Sequence, residues 1–162
     1  MSEQIVTAFA IGIGATLVMD LVALGLKYGV GLQSLNYALV GRWCLSLAGG
    51  AADRRPVPQR PAIRGEVAIG WGLHYLIGVI FAGVFLAWAG DGWLSAPAPV
   101  PALGFGVLTV LAPFLVLQPG LGAGLAARRT SHPWAARAKS LLAHLSFGAG
   151  LWLAGVGWSA LV

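Results

Sequence analysis

Asp20, His74, Gln118 and His144 are the residues of this chain whose side chains can move protons or hold a polar ligand within otherwise apolar stretches. Each lies in a different apolar run. A charge in such a run costs about 2.5–3.5 kcal/mol on insertion scales, so its presence asks for a reason. A carboxylate and two imidazoles at one depth can exchange protons, ligate a divalent metal, or close on a small polar molecule. The plainer alternative is structural: Asp20 pairs with Arg42 or a histidine to lock the helices, and each histidine is a hydrogen-bonded packing residue.

Spacing places these groups on packing faces. Ala8, Gly12, Thr16 and Asp20 follow at steps of four residues, as do Glu66, Gly70, His74, Gly78 and Ala82, and again Ser140, His144 and Gly148. Small residues at that spacing let helix backbones approach closely, so the stripes point inward. At about 1.5 Å per residue, Asp20 and Gln118 fall about 10 Å inside one end of their helices, His74 slightly deeper and His144 about 5 Å. Four helices thus each contribute one polar residue to one half of the bundle, and Asn36, Arg42, Glu66, Arg137 and Ser140 fall where they can close the layer from below.

The elements that carry this layer follow from composition. Of 162 residues, 58% are apolar and 9% charged, with mean hydropathy +0.82. A soluble domain is about 45–50% apolar and about 25% charged. Ordinary soluble enzymes, disordered tails and disulfide scaffolds are excluded, and the single Cys44 allows no internal disulfide. A bilayer core needs about 20 apolar residues in a helix. Runs over 5–26, 67–89, 100–125 and 141–162 meet that need. The predicted fold is an all-α integral membrane protein with four transmembrane helices in a single membrane domain.

Charge predicts the orientation. All ten Lys and Arg fall in two connections: Lys27, Arg42, Arg54, Arg55, Arg60 and Arg64 in the first, and Arg128, Arg129, Arg137 and Lys139 in the other. The positive-inside rule puts both connections in the cytoplasm, giving an N-out/C-out chain. The start of the chain lacks the basic region of a signal peptide, so none is expected. The net charge of +5 therefore reports topology, and no nucleic-acid partner is expected. Arg54, Arg55, Arg60, Arg64, Arg128 and Arg129 are expected to meet anionic lipid headgroups, at about 1 kcal/mol each. The first connection has two parts. Residues 32–47 carry Leu32, Leu35, Leu39, Trp43 and Leu47 at helical spacing and predict a short interfacial or re-entrant helix. Residues 51–66 hold three prolines and four arginines and predict an extended, solvated strap.

The third span is interrupted. Pro113 and Pro119 each remove an N–H and crowd the carbonyl four residues back, so a kink is predicted there. The kink frees a carbonyl near Leu115 and, with Gln118, makes this stretch either ligand-facing or an innocent bend. A duplication is also visible. Gly12-Ile13-Gly14 resembles Gly104-Phe105-Gly106, and His74/Gly78 resembles His144/Gly148, as if two hairpins were related and the first had gained the strap.

The strings GIGATLVMD at 12–20, SLNYALVGRW at 34–43, RGEVAIGWGLHY at 64–75, APFLVLQPGLGAG at 112–124 and RAKSLLAHLSFGAGLWL at 137–153 together resemble a bacterial family of small four-helix membrane proteins, catalogued only as a domain of unknown function. The resemblance implies a bacterial inner-membrane location and brings no activity or cofactor. The function expected first is binding or transport of a small polar or amphiphilic ligand by Asp20, His74, Gln118 and His144, in a homo-oligomer or beside a partner membrane protein. An accessory subunit of a larger complex is the blander expectation. His74 and His144 as axial ligands of a b-type haem, or as ligands of a divalent metal, form a third. A headgroup enzyme using Glu66 or Asp20 with a histidine, and Arg42 or Arg137 on phosphate, stays open as a further class, although no nucleophile motif supports it.

Overall fold

The structure is a computed structural model that describes residues 2–50, 55–90 and 92–161. Asp53, Asp91 and Arg54, the last one of the expected headgroup arginines, lie outside the described residues. The main helices are α1 (Ser2–Val30), α2 (Tyr37–Ala48), α3 (Glu66–Ala89), α4 (Pro99–Gly120) and α5 (Pro133–Ser159). Single turns stand at Val57–Gln59, Gly92–Ser95 and Leu125–Ala127. No strand occurs among the described residues.

The helix ends differ from the expected ones because backbone chemistry, not hydropathy, sets them. Lys27 ends the first apolar run but not α1, which continues to Gly31. There φ is +72°, and the Leu32 N–H bonds back across the last turn to the Leu26 carbonyl at 3.1 Å. Residues 32–36 are therefore outside any helix, and the helix expected over 32–47 begins later, after Asn36. The Asn36 side chain caps it by accepting from the Ala38 N–H at 3.0 Å. At the far end of α4, Gly122 and Gly124 take φ of +95° and +74°, so that span stops before residue 125. α5 starts eight residues before the expected 141, at Pro133, whose fixed φ suits a first helical position.

The expected kink in α4 takes the form of a π-helical turn over Pro113–Leu117. Pro119 offers no N–H to the Leu115 carbonyl. One residue earlier, the Gln118 N–H reaches the Pro113 carbonyl, one position beyond the α register. The turn widens instead of breaking.

α1, α3, α4 and α5 are each long and apolar enough to cross a membrane. Within their most apolar windows only 22% of residues in α1 and α3 and 28% in α4 and α5 are buried. Most of this apolar surface faces outward, an arrangement suited to lipid and costly in water.

Two compact units make up the chain. The first draws on Met1–Ser34, Tyr75–Thr109 and Leu141–Val162. Its core is Ile11, Ala15, Ala82, Phe85, Trp93, Ala102, Phe105, Phe147 and Leu151. Phe85 meets Trp93 edge to face at 4.7 Å and Phe105 at 5.3 Å. The second unit draws on Leu35–His74 and Val110–Ser140. Eight of the nine described Lys and Arg lie in it, with only Lys27 in the first.

Candidate functional site

Within the second unit, α2 and the start of α3 touch backbone to backbone. Gly41 stands against the Glu66 carbonyl and the Gly70 N–H, and Gly70 stands against the Tyr37 carbonyl. A side chain on either glycine would overlap those carbonyls. This approach brings Arg42 onto Glu66, across 24 residues of sequence. Arg42 Nε donates to Glu66 Oε2 and Nη2 to Oε1, both at 2.7 Å. Its Nη1 donates to the Arg60 carbonyl at 2.8 Å, and the Ile63 N–H donates to Glu66 Oε2 at 2.8 Å. The two side chains are 12% and 10% exposed. The fork joins α2, the Pro-rich strap and α3 in one hydrogen-bonded clamp. The hydrogen bond to Glu66, and secondly its charge, hold the Arg42 guanidinium above its ordinary pKa, against the opposing effect of burial.

One helical turn further along α3, His74 lies against Tyr37 of α2. The rings stack at 4.2 Å, and the Tyr37 hydroxyl is 3.2 Å from His74 Nε2. Trp71 packs on the same pair, 4.6 Å from the Tyr37 ring and edge-on to His74 at 5.7 Å. A phenol and an imidazole in contact can pass a proton.

The π turn of α4 positions Gln118. Its Nε2 donates to Ser140 Oγ at 3.0 Å, and Ser140 Oγ donates to the Ala136 carbonyl at 3.1 Å. Gln118 Oε1 is buried and makes no hydrogen bond to the described residues. An unpaired buried polar atom costs about 1–3 kcal/mol, so this is the second unit's open valence. Two residues on, the Trp43 indole covers Gly120 so closely that a side chain there would run into its ring.

In the first unit a hydroxyl meets each of Asp20 and His144. Asp20 Oδ2 accepts from the Tyr75 hydroxyl at 2.9 Å, joining α1 to α3. Thr109 Oγ1 lies 2.8 Å from His144 Nδ1, joining α4 to α5. The Thr109 hydroxyl donates to the Gly106 carbonyl at 2.6 Å, so the proton of the second bond comes from His144 Nδ1. The pocket among Leu94, Ser95, Trp158 and Ser159 holds no titratable side chain.

Of the residues singled out from the sequence, hydrogen bonds join Arg42 to Glu66 and Gln118 to Ser140. Asn36 caps α2, and Arg137 donates to the Ala126 carbonyl while covering Trp134. Asp20, His74 and His144 are each held by a hydroxyl that sequence reasoning had passed over: Tyr75, Tyr37 and Thr109. The available signal was that a tyrosine or threonine hydroxyl within a membrane span needs a partner. No group of three or more His, Cys, Asp or Glu converges as a metal site among the described residues.

An all-helical chain with four membrane-length spans and polar side chains paired between helices is consistent with a membrane protein. Residues 9–157 match the family described as "Protein of unknown function (DUF2938)", and the chain belongs to that family. No curated protein and no solved structure matches it.

Proposed function

We propose that the chain is a multi-pass protein of the bacterial inner membrane that binds or transports a small polar or amphiphilic ligand. Gln118 supplies the ligand-facing acceptor, and Ser140 holds its amide. The observation that carries this reading is the buried Gln118 Oε1, which has no hydrogen-bond partner and stands at the end of a π turn. π turns recur at functional sites, and a ligand N–H or O–H would satisfy the atom. Tyr37–His74 in the same unit is the pair whose protonation we expect to couple to uptake or release. Asp20 and His144, each tied to a hydroxyl in the first unit, are further groups of that kind.

In this reading both basic connections are cytoplasmic and the two ends of the chain face outward, which the one-sided distribution of Lys and Arg supports. Arg55, Arg60 and Arg64 of the strap then meet anionic headgroups. The second reading is an accessory subunit. It is favoured by the Arg42–Glu66 clamp, whose donors and acceptors are already used in joining helices.

Gln118→Leu separates the two. The substitution keeps the volume close and removes the open acceptor. If that acceptor serves a ligand, the variant loses the small molecule that native mass spectrometry finds on the wild-type protein. It also gains about 1 kcal/mol of stability in the ligand-free state, the orphan's cost less one lost hydrogen bond. A wild-type protein with nothing bound and a variant that is less stable would sink the ligand reading and leave the accessory subunit.

A further inference from the structure

The turn between α4 and α5 is built more tightly than a connection requires. Gly124 has φ +74°, and Ala126 and Ala127 follow at +46° and +58°, a left-handed conformation that residues with a Cβ rarely adopt. Backbone bonds close it: Arg129 N–H to the Ala123 carbonyl at 2.8 Å, Arg128 N–H to Leu125 at 3.1 Å, and Thr130 N–H to Ala127 at 3.0 Å. The Arg137 side chain ties it to α5 through the Ala126 carbonyl at 2.8 Å.

The consequence is the placing of two arginines. The Cγ atoms of Arg128 and Arg129 both stand 3.0 Å from where a Cβ on Gly124 would be. The two stems pass the same glycine, and both side chains are exposed. Neither makes a hydrogen bond or ion pair with another described residue. Glu66, the described carboxylate of this unit, is taken by Arg42. At the start of α5, Trp134 is 78% exposed, with the Arg137 guanidinium 4.5 Å over its ring, and Leu125 of the turn is exposed too.

We propose that this turn is a binding site for the phosphate of an anionic phospholipid headgroup. Guanidinium forks on two consecutive residues can match the oxygens of a phosphodiester. The exposed Trp134 and Leu125 supply the apolar footing that a lipid uses and a free anion does not. The turn also joins two helices long and apolar enough to cross a membrane, which puts it at headgroup level. This site goes beyond the Gln118 reading and uses none of its residues.

The test is an unfolding titration of the detergent-purified chain with a short-chain phosphatidylglycerol, a short-chain phosphatidylcholine and inorganic phosphate. The phosphatidylglycerol is expected to raise the unfolding midpoint saturably, and the other two are not. Arg128→Gln with Arg129→Gln should raise the half-saturating concentration at least about tenfold, whereas Lys27→Gln in the last turn of α1 leaves it unchanged. An equal effect of phosphatidylcholine, an effect of inorganic phosphate matching that of the lipid, an equal loss in Lys27→Gln, or an unaltered response in the double variant each overturns the proposal. Should the double Gln variant not fold, Arg128→Lys with Arg129→Lys keeps both charges. It should bind the lipid a few-fold more weakly because the forks are gone, and wild-type binding there overturns the forked contact.

Discussion

In the first unit, Gly12 lies on Gly78 and Val79, and Gly106 lies on Gly148 and the His144 carbonyl. In the second, Gly41 and Gly70 bring α2 and α3 at least as close, but the contact is flanked by the Arg42–Glu66 fork and two strap backbone groups. The first unit thus joins helices through apolar contact, with single hydroxyl bonds at Tyr75–Asp20 and Thr109–His144. The second adds an ion pair and an amide network. Helices in lipid gain little from hydrophobic burial, so close packing and hydrogen bonds must hold them. The difference teaches where chemistry can reside. Asp20 and His144 sit in the unit where packing carries the fold, and the open acceptor of Gln118 sits in the unit where hydrogen bonds carry it.

The comparison breaks most visibly at the glycines. Gly70→Ala would push a methyl onto the Tyr37 carbonyl, and Gly106→Ala would set one 2.5 Å from the His144 carbonyl. Overpacking costs about 1–3 kcal/mol where neighbours can shift and more where the obstacle is backbone, so both variants should lose at least about 3 kcal/mol. Gly72→Ala, on α3 with nothing within 4 Å, should be neutral or gain up to about 1 kcal/mol from helix propensity. Thermal unfolding in detergent reads all three. A Gly72→Ala loss as large as that of Gly70→Ala would mean that the α2–α3 contact is not what holds the second unit.

These contacts show what was legible beforehand. The four spans were, because length and apolarity suffice for them; their ends were not. Gly31 and Gly122 end helices through backbone conformation, and Pro133 starts one inside a polar stretch. The inward stripes were legible as small residues at steps of four, but not which glycine meets which. Within the first unit the contacting pairs are Gly12 with Gly78 and Gly106 with Gly148, two residues out of step with the match of Gly12 to Gly104. The two histidines of the apparent duplication also find different partners, Tyr37 for one and Thr109 for the other. Arg42 and Glu66 were legible as members of one layer. Their fork depends on the Gly41–Gly70 approach, which spacing within a single helix does not encode.

The hydroxyl bonds sharpen the comparison at a smaller scale. Tyr75→Phe removes the donor to Asp20 and leaves the carboxyl one partner short, for about 1–3 kcal/mol. Tyr37→Phe removes the contact with His74 Nε2 but keeps the stacked ring, so about 1 kcal/mol is expected. The same unfolding measurement ranks them. A larger loss at Tyr37 than at Tyr75 would place the more costly polar burial in the second unit and reverse the contrast.

The smallest effect concerns Cys44, the single cysteine, on α2 beside Trp43. Burial raises its thiol above the ordinary value of 9.0. In the unfolded chain the same thiol ionises at the ordinary value, so between that value and the raised one the unfolded state sheds a proton that the folded state keeps. The thiol's contribution to stability is therefore whole below 9.0 and is lost as pH rises through the raised folded value. Cys44→Ser should flatten the pH dependence of the unfolding midpoint above pH 9.0 and leave it unchanged at neutrality. Alkylation gives the kinetic counterpart, because the folded thiol at neutral pH holds less thiolate than a free cysteine and should react more slowly with a maleimide. If folded and unfolded chains react equally fast, α2 does not shield that thiol in solution. The second unit would then be open on the face where Trp43 covers Gly120.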